Sequence, residues 1–225
     1  IHVCRIPVFD RRVFLKTCTN GSSELMTNLS MSLVNALYNL QLMKIAGENG
    51  VAAYGAVMYV NFIFVATFLG YAIGCAPVIS YHYGAGNHAE LKNLYKKSMS
   101  IILVWGVILF GAAQLLAPVL SKIFVGYNTG LYAMTLHGFR VYAIAFLIIG
   151  INIFGSSFFT ALNNGLISAV ISFLRTLVFQ VIMVLTLPLW FGINGIWSAI
   201  SIAEALTLIM TTTFFVRQKD KYHYL

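Results

Sequence analysis

Long apolar runs separated by short polar breaks dominate this chain. Six stretches, at about residues 22–46, 52–80, 98–121, 141–163, 167–188 and 194–216, each approach the roughly 20 residues that a bilayer-crossing helix requires. The pattern predicts an all-α membrane protein, a six-transmembrane-helix bundle. The residues divide into a segment at 1–20, the helical lobe at 21–216 and a tail at 217–225. Within the second run, Ala66, Gly70 and Gly74 recur every four residues and form a nearly bare face. Such a face lets a neighbouring helix approach closely. Pro77 removes a backbone donor near the end of the run, before the Gly84-Ala85-Gly86 turn.

Polar residues inside the runs fall on faces. In the first run Glu24, Asn28, Ser32, Asn35 and Asn39 lie at offsets 0, 4, 8, 11 and 15. At 3.6 residues per turn they form one stripe roughly 80° wide. Asn152, Ser156, Thr160 and Asn163 repeat the pattern in the fourth run, and the two faces imply one shared interior. Either a watery cavity or hydrogen bonding between helices accounts for such stripes. Asn61 and Gln180 stand singly and read as structural. Glu204 is the only acid deep in the bilayer, so it is expected to be paired, protonated or turned to water. As a protonated group it is an ion-coupling candidate; as a paired one it is a helix-to-helix tie. Arg175 lies in the cytoplasmic half of the fifth run, where its side chain is expected to extend toward headgroups. His137 and Arg140 read as interfacial anchors.

Composition agrees with the pattern. Hydrophobic residues make up 60% of the chain and charged residues 9%, with mean hydropathy +0.85. The net charge of +8 could point to nucleic acid, but the basic residues cluster beside the apolar runs, so a lipid bilayer is the expected partner. With both termini in the cytoplasm, ten Lys and Arg residues fall inside and three outside. Cys4, Cys18 and Cys75 have neither a close pairing nor a metal spacing, and no metal site is expected. Gly84-Ala85-Gly86-Asn87-His88-Ala89 fits a loose dinucleotide pattern but follows a membrane helix, not a strand. No pair of catalytic groups at matching depth is visible, so an enzyme is not expected. The basic opening without a short apolar leader gives no sign of a signal peptide, and the start at Ile1 without an initiator Met leads to the expectation of a longer chain.

Several short motifs occur in a recognisable order. They are Glu24-Leu25-Met26-Thr27-Asn28-Leu29-Ser30-Met31-Ser32-Leu33, Gly50-Val51-Ala52-Ala53-Tyr54-Gly55, Ala76-Pro77 leading to Tyr83-Gly84-Ala85-Gly86-Asn87, Phe139-Arg140-Val141, Ser172-Phe173-Leu174-Arg175, and Gly192-Ile193-Asn194-Gly195-Ile196-Trp197-Ser198-Ala199. Over about residues 20–216 the chain resembles the multidrug and toxic compound extrusion (MATE) family, most of all its bacterial members.

The resemblance implies one lobe, the C-terminal, of a two-lobe transporter, with residues 1–20 as the end of a cytoplasmic inter-lobe linker. It implies alternating-access efflux of amphipathic cationic small molecules, driven by influx of Na+ or H+, with no other cofactor. The partner would be the missing N-terminal six-helix lobe or a second copy, in a bacterial inner membrane with both termini cytoplasmic. Asn28, Asn35, Asn39, Asn152 and Ser156 would then contact substrate, and Glu24 and Glu204 would serve ion coupling. Many relatives carry acids in the middle of the first and on the fourth helix of this lobe. Here Glu24 lies near the entry and the fourth run has none, so coupling rests on Glu204 or on the other lobe. Two alternatives stand beside this one. A lipid-linked sugar flippase shares the overall fold, but its cleft is strongly basic, and Arg140 and Arg175 are few and peripheral; an inactive truncated fragment would have a structural role alone.

Overall fold

The computed structural model describes residues 10–224, except for the side chains of Val13, Thr19, Asn20, Ser22, Ser23, Glu24, Met26 and Thr27. The described residues form helices joined by short turns. They are α1 (Arg11–Gly84), α2 (His88–Val125), α3 (Thr129–Ala143), α4 (Phe146–Ala161), α5 (Gly165–Phe173), a π-helical turn (Leu174–Phe179), α6 (Gln180–Phe191) and α7 (Ile193–Tyr222).

The first helix contains two of the six predicted runs. It begins at Arg11, where the Asp10 side chain accepts the Arg12 backbone N–H at 2.8 Å and starts the first turn. The only break is Gly47, at φ 62° and ψ −152°, a conformation closed to residues with a Cβ. There the chain folds back. Tyr54 reaches Asn35 and stacks on Tyr38, at a ring separation of 5.0 Å. A straight helix would hold residues 35 and 54 about 28 Å apart. The expected loop at 47–51 is thus compressed into one glycine.

Caps set the other turns. Asn87, Asn128 and Asn164 each accept a backbone N–H of the first turn that follows, from Glu90, Leu131 and Ile167 respectively. Helices α3 and α4 are bent by 48° across Ile144 and Ala145. The fourth predicted run therefore starts too late: its helix opens at Thr129, and His137 and Arg140 ride on it. Among the described residues, four continuous segments are long and apolar enough to cross a membrane, and the bent pair adds a fifth. The fold of α1 at Gly47 provides two arms from one of them.

Helix α4 sits at the centre, packed against α1, α2, α5 and α7. Its glycines and phenylalanines explain that position. Gly150 faces Phe68 and Gly155 faces Thr211, each too close for a Cβ, while Phe146, Phe154, Phe158 and Phe159 are buried. By contrast, Ala66, Gly70 and Gly74 are exposed, and no atom approaches either glycine's missing side chain. Both are small-residue faces, and the sequence alone does not say which one a neighbour uses. At Gly138 a Cβ would stand 2.5 Å from the buried Trp197 ring. Gly138→Leu is therefore expected to cost about 1–3 kcal/mol, read as a lower unfolding midpoint in detergent. An unchanged midpoint would mean that α3 and α7 do not meet at this glycine.

The chain's last described residues close one end of the bundle. Tyr224 is fully buried against Tyr95, Phe158 and Phe215 and donates its hydroxyl to the Phe215 carbonyl at 2.8 Å. Burial pushes this phenol up, so it remains a donor across the physiological pH range.

Candidate functional site

Among the described residues, one ion pair lies inside the bundle. Glu204 on α7 is 1% exposed, and Arg175 donates from Nε to both carboxylate oxygens, at 2.9 and 3.1 Å. Asn152 on α4 donates from Nδ2 to Oε2 at 2.7 Å and to the Glu204 backbone carbonyl at 3.0 Å. Three segments are thus tied at one carboxylate, and the charges cancel. A buried carboxylate without such partners would be prohibitively costly in an apolar interior.

Arg175 does not extend toward headgroups. It turns inward because it lies on the π-helical turn, where the widened backbone changes the direction of the side chains. The sequence carried a usable signal: Arg175 lies seventeen residues before Gly192 and Glu204 twelve after it. On two antiparallel helices that difference is about 7.5 Å of depth, within the reach of an extended arginine.

Two tyrosines lie near this pair. Tyr38 and Tyr142 are buried and close enough to Glu204 to interact with its charge. Tyr38 stacks on Tyr54, whose hydroxyl donates to Asn35 Oδ1 at 3.0 Å. The Tyr38 hydroxyl and Asn152 Oδ1 are buried without a hydrogen-bond partner among the described residues. None of these tyrosines stands out in the sequence, since aromatic residues are abundant in every run.

The two polar stripes occupy different places. Asn28, Ser32, Asn35 and Asn39 are exposed on the first arm of α1, and Asn39 donates to the Asn35 carbonyl at 3.0 Å. Asn152 is fully buried and Ser156 half-buried; Ser156 meets Ser168 at 2.9 Å and Ser172 at 2.8 Å. Asn152, Ser156 and Thr160 of the fourth-run stripe are thus bonded to α5 and α7, with Asn152 Oδ1 left over, whereas the first-run stripe faces outward. Glu24 has its side chain outside the described residues. His137 and Asn194 join α3 to α7 at 2.9 Å at the far end.

A family model described as MatE matches residues 25–186. The chain belongs to the MatE family. As a MatE-family transporter fold it is a multi-pass membrane protein. Solved structures match over nearly its whole length. A crystal structure of MATE in complex with MaL6 has TM-score 0.88 at 20% identity, covering 97% of this chain and 49% of its own. An outward-facing multidrug resistance MATE family transporter of the MOP superfamily gives 0.88 at 20%, covering 98% and 49%. A MOP superfamily transporter from Pyrococcus furiosus, whose binding pocket is described as of reverse polarity, gives 0.85 at 20%, covering 94% and 48%. Curated proteins yield no sequence match. This MatE-family chain thus has the extent of one lobe, about half the length of the transporters that it matches.

Proposed function

We propose that this chain is the C-terminal half of a multidrug, organic-cation exporter that works by alternating access against an inward flow of Na+ or H+. The observation that carries this reading is the coverage: nearly all of this chain superposes on half of each MATE transporter. The other half is expected from an N-terminal lobe or a second copy.

In this reading Asn28, Asn35 and Asn39 form the face turned to the other lobe and to substrate. Exposed amides backed by Tyr54 suit large organic cations, which need aromatic faces and adaptable acceptors rather than one fixed counter-charge. Asn152 and Ser156 are enclosed, so they act on substrate through the helices that they tie. Glu204 is the coupling carboxylate, and Arg175 is its occupant when no coupling cation is bound. Glu24 is the second ion-coupling candidate, on the family resemblance alone, and its place near the entry of the first helix sets it behind Glu204. Residues 1–20 are the inter-lobe linker, residues 217–225 the cytoplasmic tail, and the membrane is a bacterial inner membrane.

Ethidium efflux from cells lacking their main drug pumps tests this. The chain expressed with a MATE-family N-terminal lobe is expected to lower cellular ethidium, while the chain alone matches the empty vector. If neither combination exports ethidium although both polypeptides are inserted, the exporter reading is wrong.

A further inference from the structure

A groove of about 270 Å³ runs between the second arm of α1 and α2, lined by Thr67, Phe68, Tyr71, Ile101, Ile102 and Trp105. Its polar atoms are already engaged. The Trp105 indole donates to Thr67 Oγ1 at 2.9 Å, Thr67 donates to the Phe64 carbonyl at 2.7 Å, and the Tyr71 hydroxyl donates to Ser98 Oγ at 3.1 Å. The walls therefore offer an occupant hydrocarbon and aromatic faces and no spare donor. An apolar cavity of about 150 Å³ holds benzene, so this groove has room for roughly ten carbons.

Depth decides which hydrocarbon reaches it. No charged residue separates Lys97 from Lys122, and the roughly 37 Å of helix between them just exceeds the ~30 Å hydrocarbon core of a bilayer. The two lysines thus mark headgroup levels. Ile101 and Trp105 follow Lys97 by about one and two turns on the same face of α2, so the groove opens beneath Lys97 and reaches roughly 12 Å into the leaflet. On α1, Gly74 lies seven residues after Thr67 on the same face, with open space where a Cβ would stand, so nothing closes the mouth on that side. Lys97 is exposed and pairs with no acid among the described residues. Glu90, the one acid of α2, lies roughly 10 Å further back, about a Debye length, and accepts from Asn93.

The geometry points to a phospholipid site, in which one acyl chain fills the groove between α1 and α2 and an anionic headgroup meets Lys97. The two parts of the lipid are held by different forces. Lipid is as apolar as the groove wall, so the chain gains packing contacts rather than transfer from water. The ammonium of Lys97 selects the headgroup, because a lipid of net negative charge is attracted to it more than a zwitterionic one. Trp105, too deep to find water for its N–H, keeps that group on Thr67 and presents its ring to the chain. The site is independent of the exporter reading and requires the membrane-spanning fold alone.

The test is quenching of Trp105 fluorescence by brominated-chain lipids, with the full chain reconstituted in vesicles. In a Trp190→Phe background Trp105 is the one exposed tryptophan, at 41%, since Trp197 is buried. Brominated phosphatidylglycerol is expected to half-quench Trp105 at about one fifth of the mole fraction that brominated phosphatidylcholine needs. Lys97→Gln is expected to abolish that difference and leave the phosphatidylcholine curve unchanged, whereas Lys122→Gln, at the other end of α2, keeps it. Ile101→Phe narrows the groove and is expected to raise the half-quenching mole fraction of both lipids. Equal half-quenching by the two lipids in the parent protein would overturn the site, as would a fivefold preference that survives Lys97→Gln. A preference lost equally in Lys122→Gln would replace the site with a general attraction of anionic lipid to a basic protein. Quenching unaffected by Ile101→Phe would place the chain outside the groove.

Discussion

Removing Arg175 alone is expected to destabilise the lobe more than any other single change. Arg175→Met leaves Glu204, 1% exposed, without its counter-charge, and Asn152 supplies the one remaining side-chain donor among the described contacts. Breaking a buried pair from one side typically costs about 3–5 kcal/mol, most of it the penalty of the stranded charge. The double variant Arg175→Met/Glu204→Gln removes that charge and is expected to recover most of the loss. Thermal unfolding of the four proteins in detergent closes the double-mutant cycle. If both single variants unfold at the wild-type temperature, the two side chains are not paired in the membrane.

The second large effect is expected at Phe158. This ring is fully buried near the C-terminal end of α4, with Tyr95 at 5.4 Å, Tyr224 at 5.0 Å and Phe215 at 5.9 Å between ring centres. Phe158→Ala opens a cavity among aromatic residues from α2, α4, α7 and the chain's end. Such truncations cost about 3–5 kcal/mol in water-soluble cores. Here the lower end, about 3 kcal/mol, applies, because lipid is as apolar as the core and the loss is mainly of packing. Phe158→Leu should recover much of it. Loss of Tyr224 from its site, read as protease cleavage near the end of the chain in Phe158→Ala, should accompany the drop. A variant equal to wild type in both readouts would contradict the cluster's role in fastening the end of the chain to α4.

The sequence was most legible where the bilayer does the selecting. Twenty-residue apolar runs leave few alternatives to helices, but two helices open well before their runs, at His88 after Asn87 and at Thr129 after Asn128. What was not legible depends on where helices meet. The amides of Asn35 and Asn152 have equal polarity in sequence, yet one faces outward and the other lies inside against Glu204. Likewise Gly70 is bare and Gly150 is crowded, although both sit in small-residue faces. An isolated arginine in a membrane helix is expected among the headgroups, and the π turn on which Arg175 lies has no local sequence signature. The gap between the first two runs, at 47–51, contracts to Gly47 alone, and Tyr38 stacks on Tyr54 across it.

The half-exporter reading with Glu204 at its centre is tested most directly by co-reconstitution of the chain with a MATE-family N-terminal lobe. The readout is ethidium movement into proteoliposomes under an imposed proton or sodium gradient. Movement that needs both polypeptides and an ion gradient, and that disappears in Glu204→Gln while the two lobes still co-purify, is the expected result. Movement by the chain without its partner lobe, or at the wild-type rate in Glu204→Gln, would contradict it.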